Sequence, residues 1–370
     1  MQCDVTVEEL FQAYYDCRRL KRNTWNALRF EENLERNLMD LFHELHDGSY
    51  APGRSMCFVV EHPKVREVWA ADFRDRVVHH LLYNRVRERF YNSFIYDSFA
   101  CIPGKGTLAA AKRVARHVRS ITDNNRKPAW FLQADIANYF VSVDKDILDG
   151  LLARKITESW WLGLARKILH HDPTKNVFVR SPRKMLDKVP RHKSLFRSNG
   201  QGMPIGNLTS QFFANIYLDP LDQFIKHRLK VKKYARYVDD LFCMGGTGAE
   251  MRETFIYMRD FAWKHLKIKF HKNKTLINRV EHGINFVGYV IRPWARYIRR
   301  STIGSFYYRT RDPFRCSSDK RLQATVNSYF GMLSHANARK ERLRMAGFLR
   351  KRFGARFNSE TTKMISGGIR

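Results

Sequence analysis

The segment Lys233-Tyr234-Ala235-Arg236-Tyr237-Val238-Asp239-Asp240-Leu241-Phe242-Cys243 constrains this chain more than any other. Two adjacent carboxylates stand in a short polar gap between apolar, β-prone runs, the pattern of a hairpin with acids at its tip. Neighbouring carboxylates repel each other, so the pair implies a cation. Oxygen-only ligands suit Mg²⁺, which binds through one or two carboxylates plus substrate phosphates and keeps several waters. Turns also favour Asp for local reasons, so the pair gains its weight from a second acid placed in a strand of its own.

Asp135 is that acid. Ala129-Trp130-Phe131-Leu132-Gln133-Ala134 reads as a buried strand with Asp135 at its end, where a carboxylate is costly unless paired or metal-bound. The bland alternative is a cap for the helical run 144–157. Asp144 directly precedes that run and fills the role better.

These residues resemble a family. Asp135 with Phe140, followed by Tyr237-Val238-Asp239-Asp240, is similar to the first and third palm motifs of reverse transcriptases. Ile205-Gly206-Asn207-Leu208-Thr209-Ser210-Gln211 resembles the loop-to-helix motif between them. His271-Lys272-Asn273-Lys274-Thr275 resembles the lysine-bearing motif that follows, and Ile284-Asn285-Phe286-Val287-Gly288-Tyr289 the strand gripping the primer. Further segments resemble the fingers of bacterial reverse transcriptases, above all those of diversity-generating retroelements: Lys21-Arg22-Asn23-Thr24, Pro63-Lys64-Val65-Arg66-Glu67-Val68, Ala71-Asp72-Phe73-Arg74-Asp75-Arg76 and Gly104-Lys105-Gly106-Thr107. His192-Lys193-Ser194-Leu195-Phe196 and the thumb segment Ser328-Tyr329-Phe330-Gly331-Met332 agree with this.

The middle motif is usually Gln-Gly, three residues, then Ser-Pro. Gln201-Gly202 lies too far from Ser210, so the register that fits runs from Gly206 to Ser210, with Ile205 for the usual Gln and Gln211 for the usual Pro. In retroelement relatives that form accompanies error-prone copying. Ile205 removes an amide near the incoming nucleotide, and selectivity built on a hydrogen-bonding site weakens when the site turns apolar.

The resemblance implies an α+β right-hand polymerase: fingers over 1–128, a palm over 129–291 carrying a basic insertion at 173–200, and a basic helical thumb and tail over 292–370. Asp135, Asp239 and Asp240 would hold two Mg²⁺ ions, with Mn²⁺ as a substitute, for in-line nucleotidyl transfer. Asp240 would be less indispensable than the other two. Lys274 matches the acid proposed for the pyrophosphate leaving group, against the plain alternative of a Lys ending a strand. Lys64, Arg66 and Arg74 are candidates for the triphosphate, with Ile205 and Gly206 beside the nucleotide. Phe140 would collide with a ribose 2′-hydroxyl and select deoxynucleotides. Ser210, Gln211, Tyr237 and Gly288 fall where template and primer run. The implied partners are an RNA template, a DNA or RNA primer and deoxynucleoside triphosphates, with an accessory protein or a second copy of the chain left open.

Composition agrees. At 370 residues and 44% hydrophobic, the chain can bury a sizeable core, and 13% aromatic residues argue against disorder. A net charge of +31 attracts polyanions, with binding that falls steeply with salt. From Tyr289 to Arg370 nineteen Lys or Arg face four acids, so the last fifth holds nearly half the excess. Trp294, Tyr297, Phe306, Tyr307, Tyr308 and Phe314 are interleaved there, which suits a strand-tracking surface. Cys3, Cys17, Cys57, Cys101, Cys243 and Cys316 have no zinc-site spacing and read as reduced, buried thiols of a cytoplasmic protein. No secretory signal or membrane-spanning run is expected.

Periodicity places helices at 7–20, 24–46, 75–96, 107–122, 144–157, 160–170, from Leu208, at 249–266 and across 320–353. Strands are expected at 56–60, 66–70, up to Asp135, at 267–271 and at 285–291, and 173–200 reads as a loop. One departure from the retroelement pattern is Ile102, where an Arg is usual; it adds weight to the alternative of a related anti-phage enzyme copying a dedicated noncoding RNA. A catalytically idle RNA-binding scaffold and a metal-dependent nuclease are the other readings. Three intact Asp oppose the first, and the lack of a fourth clustered acid opposes the second.

Overall fold

The computed structural model describes residues 3–19, 21–62, 64–311 and 319–366. In chain order these form α1 (Val7–Arg18), α2 (Trp25–Glu31), α3 (Leu34–Asp47), β1 (Ser55–Val60), β2 (Arg66–Ala70), α4 (Phe73–Tyr91), α5 (Thr107–Ile121) and β3 (Trp130–Asp135). Next come α6 (Lys145–Ala153), α7 (Ser159–His170), β4 (Val177–Val179), α8 (Arg183–Leu186), α9 (Leu208–Gln223), β5 (Lys233–Tyr237), β6 (Asp240–Gly245), α10 (Gly248–Leu266) and β7 (Leu276–Arg279). The last are β8 (Ile284–Phe286), β9 (Tyr289–Ile291), β10 (Arg296–Ile298), α11 (Arg300–Arg311), α12 (Asp319–Ser334), α13 (Arg339–Phe353), β11 (Arg356–Phe357) and β12 (Met364–Ser366). The fold is mixed α+β, as expected. The chain divides into two compact units: Met1–Ile102 with Ala134–Lys230 and Ile256–Lys274, and Pro103–Gln133 with Val231–Phe255 and Thr275–Arg370.

In the first unit α1 begins with a reciprocal cap, Thr6 with Glu9. The Tyr14, Phe30 and Phe73 rings then join α1, α2 and α4, with Phe30 and Phe73 centroids 5.3 Å apart. The β1–β2 hairpin pairs Met56 with Ala70, and β4 adds to β1 in parallel. Helix α9 buries residues on almost every face, among them Phe212, Phe213, Ile216, Tyr217 and Leu221, so it is a core helix and not an amphipathic surface one. It anchors its neighbours through hydroxyl and carbonyl groups. Tyr139 donates to the Ala214 carbonyl, and Tyr217 accepts from the Asp144 N–H while donating to the Leu266 carbonyl. Asp144 caps α6 through the N–H groups of Asp146 and Ile147, as the sequence reading expects.

The second unit holds a four-stranded sheet of order β5-β6-β3-β7, with the last two residues of β3 belonging to the first unit. Phe131, Phe242 and Phe286 stack in series with 5.9 Å between successive centroids. The three-stranded meander β8-β9-β10 follows. Its Tyr289 hydroxyl donates to the Met332 carbonyl of α12, and α11 and α12 meet through Phe306, Tyr329 and Phe330.

Several expectations need correction. The helix read across 24–46 is two helices, because Asn33 leaves helical backbone and the Asn37 amide takes the Phe30 carbonyl at 2.8 Å. The apolar stripe of Leu34, Leu38 and Leu41 lies wholly within α3 and begins only after that break. The stretch 173–200 is no mere loop: Val177, Val179, Leu186 and Leu195 pack with Cys57 and Trp69 in one apolar cluster. Residues 267–271 form only a single bridge, Ile136 with Phe270, and the strand partner of β3 is β7, which pairs Gln133 with Leu276. The strand at 285–291 is a hairpin turned by Val287 (φ +44°) and Gly288 (φ +89°). The span 320–353 is two helices, and α11 has no counterpart among the helices placed by periodicity. Cys3, Cys17, Cys57 and Cys243 are buried, whereas Cys101 is exposed. Cys316, Phe314 and Pro63 lie outside the described residues.

Candidate active site

The acidic hairpin forms as its sequence implies. Tyr237 pairs with Asp240 across a two-residue turn of Val238 and Asp239. Val238 has φ +56°, a conformation that β-branched residues rarely adopt and that hairpins usually give to Gly. The buried Arg236 guanidinium donates Nη1 to the Val238 carbonyl at 3.0 Å and holds the tip. Gln133, on β3, directs its amide Nε2 at both carboxylate oxygens of Asp240, at 3.0 and 3.1 Å, and at the Asn285 carbonyl at 3.0 Å. One side chain thus ties Asp240 to the β8–β9 hairpin.

Asp135 ends β3, with its side chain about one-quarter exposed, and Lys274 Nζ lies 2.5 Å from its Oδ1. The backbone brings them together: the His271 N–H donates to the Asp135 carbonyl at 2.8 Å, and Lys274 closes the 3₁₀ turn Lys272–Lys274. An ammonium thus stands against the carboxylate where a metal ion is expected, and carboxylate oxygens are the donor set that Mg²⁺ accepts. Asp135 and Lys274 belong to the first unit, Asp239 and Asp240 to the second. Among the described residues no three His, Cys, Asp or Glu side chains form a ready-made metal cluster.

The loop before α9 is stitched to two elements of its own unit. Trp69 N–H donates to the Ile205 carbonyl at 2.7 Å, and Ala71 N–H to Asn207 Oδ1 at 3.1 Å. Gly206 lies so close that a Cβ there would come within 2.4 Å of the Trp69 carbonyl oxygen. On the other side, Met203 N–H donates to the Phe140 carbonyl at 2.7 Å and Gly202 N–H to that of Val143 at 3.0 Å. Phe140 is half-buried in the 3₁₀ turn Tyr139–Val141. Ser210 is buried, whereas Gln211 is exposed and accepts from the Cys101 thiol. Nearby, Thr209 Oγ1 meets His79 Nδ1 at 3.2 Å, and burial pushes the His79 imidazole down to about 3.

Among the candidate cations, Lys64 and Arg66 are exposed at the start of β2. Arg74 is engaged: it pairs with Glu44, lies 3.4 Å from Asp75 and sits over the Tyr50 ring. Gly288 is the second residue of the β8–β9 turn, where a Cβ would come within 2.4 Å of the Met332 methyl group. Tyr237 is half-buried beside the acidic turn.

The family model for reverse transcriptase (RNA-dependent DNA polymerase) matches residues 62–291. The chain belongs to this family. Its enzyme class is that of an RNA-directed DNA polymerase, a class that works with RNA templates, primers and divalent metal ions. The chain is 23% identical over 307 residues to the protein YkfC of Escherichia coli K12, covering 74% of this chain and 76% of that one. It is 23% identical over 333 residues to the group II intron-encoded protein LtrA of Lactococcus lactis, covering 72% of this chain and 51% of LtrA, so it spans about half that relative's length. A solved structure of apo telomerase from Candida tropicalis, truncated from its C-terminal domain, aligns with TM-score 0.46 and 10% identity, covering 65% of this chain and 55% of that one. Among the described residues no helix is long and apolar enough to cross a membrane.

Three residues of this reverse transcriptase lie outside the motifs read from its sequence. Gln133 and Arg236 are polar residues inside apolar strands, a signal that could have marked both. Gly202 fails the spacing of the middle motif, yet its seat against the Phe140 turn, 2.6 Å to a built Cβ, is nearly as close as that of Gly206 against β2, at 2.4 Å.

Proposed function

We propose that this reverse transcriptase copies a structured noncoding RNA into DNA with Asp135, Asp239 and Asp240 as its metal-binding carboxylates. What carries the reading is the adjacency of Asp239 and Asp240 at the β5–β6 turn, together with the sheet order, in which β6 neighbours β3, the strand that Asp135 ends. Two Mg²⁺ ions, when bound, supply the charge that stabilises the attacking and leaving oxygens of an in-line displacement. The chain itself supplies placement, which dominates phosphoryl chemistry of this kind. Gln133 fixes Asp240, and Arg236 fixes the turn. Lys274, carried beside Asp135, is the proton donor for the departing pyrophosphate. Lys64 and Arg66 stand exposed for the triphosphate, and Arg74 joins them only by leaving Glu44. Phe140 excludes the 2′-hydroxyl. Ser210, Gln211, Tyr237 and Gly288 border the template and primer; burial of Ser210 confines its part to supporting α9.

In these terms the domains are fingers over 1–128, palm over 129–291 and thumb over 292–370. Ile205 in place of an amide supports low-fidelity copying of the kind found in diversity-generating retroelements, whereas Ile102 favours an anti-phage enzyme with its own RNA. Primer extension on an RNA template with labelled deoxynucleotides tests the core. Wild type extends the primer and Asp239→Ala does not; extension by both sinks the metal assignment. An Ile205→Gln variant with the same error spectrum as wild type removes the low-fidelity reading.

A further inference from the structure

Gly202 belongs to the Gln-Gly pair whose spacing excludes it from the middle motif, so the proposed chemistry gives it no task. The structure places it in an unusual seat. Its φ is +78°, and a Cβ at this position would fall 2.6 Å from the Val141 Cα, 2.9 Å from the Phe140 carbonyl oxygen and 2.9 Å from the Val141 carbonyl carbon. All three are backbone atoms, so no rotamer change relieves the contact. Two hydrogen bonds clamp the same stretch to the same turn, from Met203 N–H to the Phe140 carbonyl at 2.7 Å and from Gly202 N–H to the Val143 carbonyl at 3.0 Å.

The turn carrying Phe140 is otherwise closed on itself. Asn138 sits at φ +51°, Val141 and Ser142 N–H donate to its carbonyl, and Ser142 Oγ donates to the Tyr139 carbonyl at 3.0 Å. Tyr139 is pinned to α9 through the Ala214 carbonyl. The Phe140 backbone is therefore held from below by its own turn and from above by Gly202. A ring that discriminates by collision does so through its position, and displacement of about 1 Å at a reacting centre is enough for large kinetic effects.

We propose that Gly202 is a positioning residue for sugar selection: its missing side chain lets residues 202–203 lie flat on the Tyr139–Val141 turn and so sets where the Phe140 ring stands. The inference rests on the reading of Phe140 as the residue that excludes a 2′-hydroxyl. Gly200 provides an internal control. It has φ +81° and no atom within 4 Å of a built Cβ, so Gly200→Ala carries the backbone penalty of a left-handed residue without the steric push.

The experiment is single-nucleotide primer extension, measuring kcat/KM for a deoxynucleotide and for the matching ribonucleotide in wild type, G202A, G200A, F140A and the double variant F140A/G202A. Gly202→Ala is expected to lower the deoxy-to-ribo preference by tenfold or more, while Gly200→Ala leaves it unchanged. In the Phe140→Ala background, Gly202→Ala is expected to change the preference no further. A preference unaltered by G202A while F140A relaxes it overturns the role of Gly202 and spares that of Phe140. A preference unaltered by F140A overturns both. If G202A fails to fold, Ser142→Ala loosens the same turn from its outer side, and an unaltered preference in that variant likewise overturns the proposal.

Discussion

Lys274 holds Asp135 through an ion pair of 2.5 Å between Nζ and Oδ1, inside a single compact unit. Both groups are partly exposed, so the pair is worth only about 0.2–1 kcal/mol after solvent screening. If Asp135 takes a divalent ion, as proposed, that ion has to displace the ammonium from the carboxylate. Replacing Lys274 by Met should therefore raise apparent Mn²⁺ affinity by up to about fivefold, measured by electron paramagnetic resonance without substrate. Synthesis should fall in the same variant if the ammonium also protonates pyrophosphate. An unchanged or weakened Mn²⁺ affinity would show that the two cations do not compete.

Gln133 makes a second prediction. Its amide serves both oxygens of Asp240, and a hydrogen bond to a charged group contributes about 1.5–3 kcal/mol. If that bond holds Asp240 in its working orientation, Gln133→Leu should slow primer extension by about tenfold or more. Gln133→Glu should be slower still, because it sets one carboxylate against another. Equal rates in all three proteins would mean that Asp240 needs no such support.

The elements that carry the proposed carboxylates were legible in the sequence wherever chemistry is written in residue types. Asp135 could be read as a strand-ending acid, and Asp239-Asp240 as acids at a hairpin tip, because the apolar runs stop on either side of them. Illegible were the features set by backbone approach. Nothing in the string Ser198-Asn199-Gly200-Gln201-Gly202 says that the second glycine is wedged against a distant turn and the first is not. The basic stretch 173–200 concealed β4 because three residues of strand, flanked by Lys and Arg, carry too little periodicity to stand out. Val287 hid a turn for the opposite reason: a β-branched residue at positive φ contradicts local propensity and is imposed by the strands it joins.

Gly206 predicts a stability difference within one protein. Gly206 and Gly104 both have positive φ, so alanine is strained at either. At Gly104 the added carbon meets open space, whereas at Gly206 it meets the Trp69 carbonyl oxygen. Gly206→Ala should therefore cost about 1–3 kcal/mol more than Gly104→Ala in urea denaturation, the usual range for forced overpacking. Similar losses for the two variants would mean that β2 yields to the intruding carbon without penalty.

His79 predicts how stability responds to acid. Burial pushes its pKa down to about 3, and His80, for the same reason, falls to about 4. Both lie below the ordinary value near 6.5, so between these limits the unfolded chain binds protons that the folded chain refuses. Stability contributed by the two imidazoles is thus fully present above about pH 6.5 and is lost as the pH falls, each with a slope of up to about 1.4 kcal/mol per pH unit. Asp75, whose carboxyl is raised by burial, acts with the opposite sign in its own window above the usual carboxylate range, so the wild-type curve alone does not isolate a histidine. His79→Phe does. It removes one titrating group and leaves Thr209 without its ring partner, a loss of about 1 kcal/mol that does not depend on pH. Between pH 7 and pH 5 the unfolding free energy of this variant should fall less steeply than that of wild type, by up to about 1.4 kcal/mol per pH unit. Parallel curves would mean that His79 takes up its proton in the folded protein as readily as in the unfolded one.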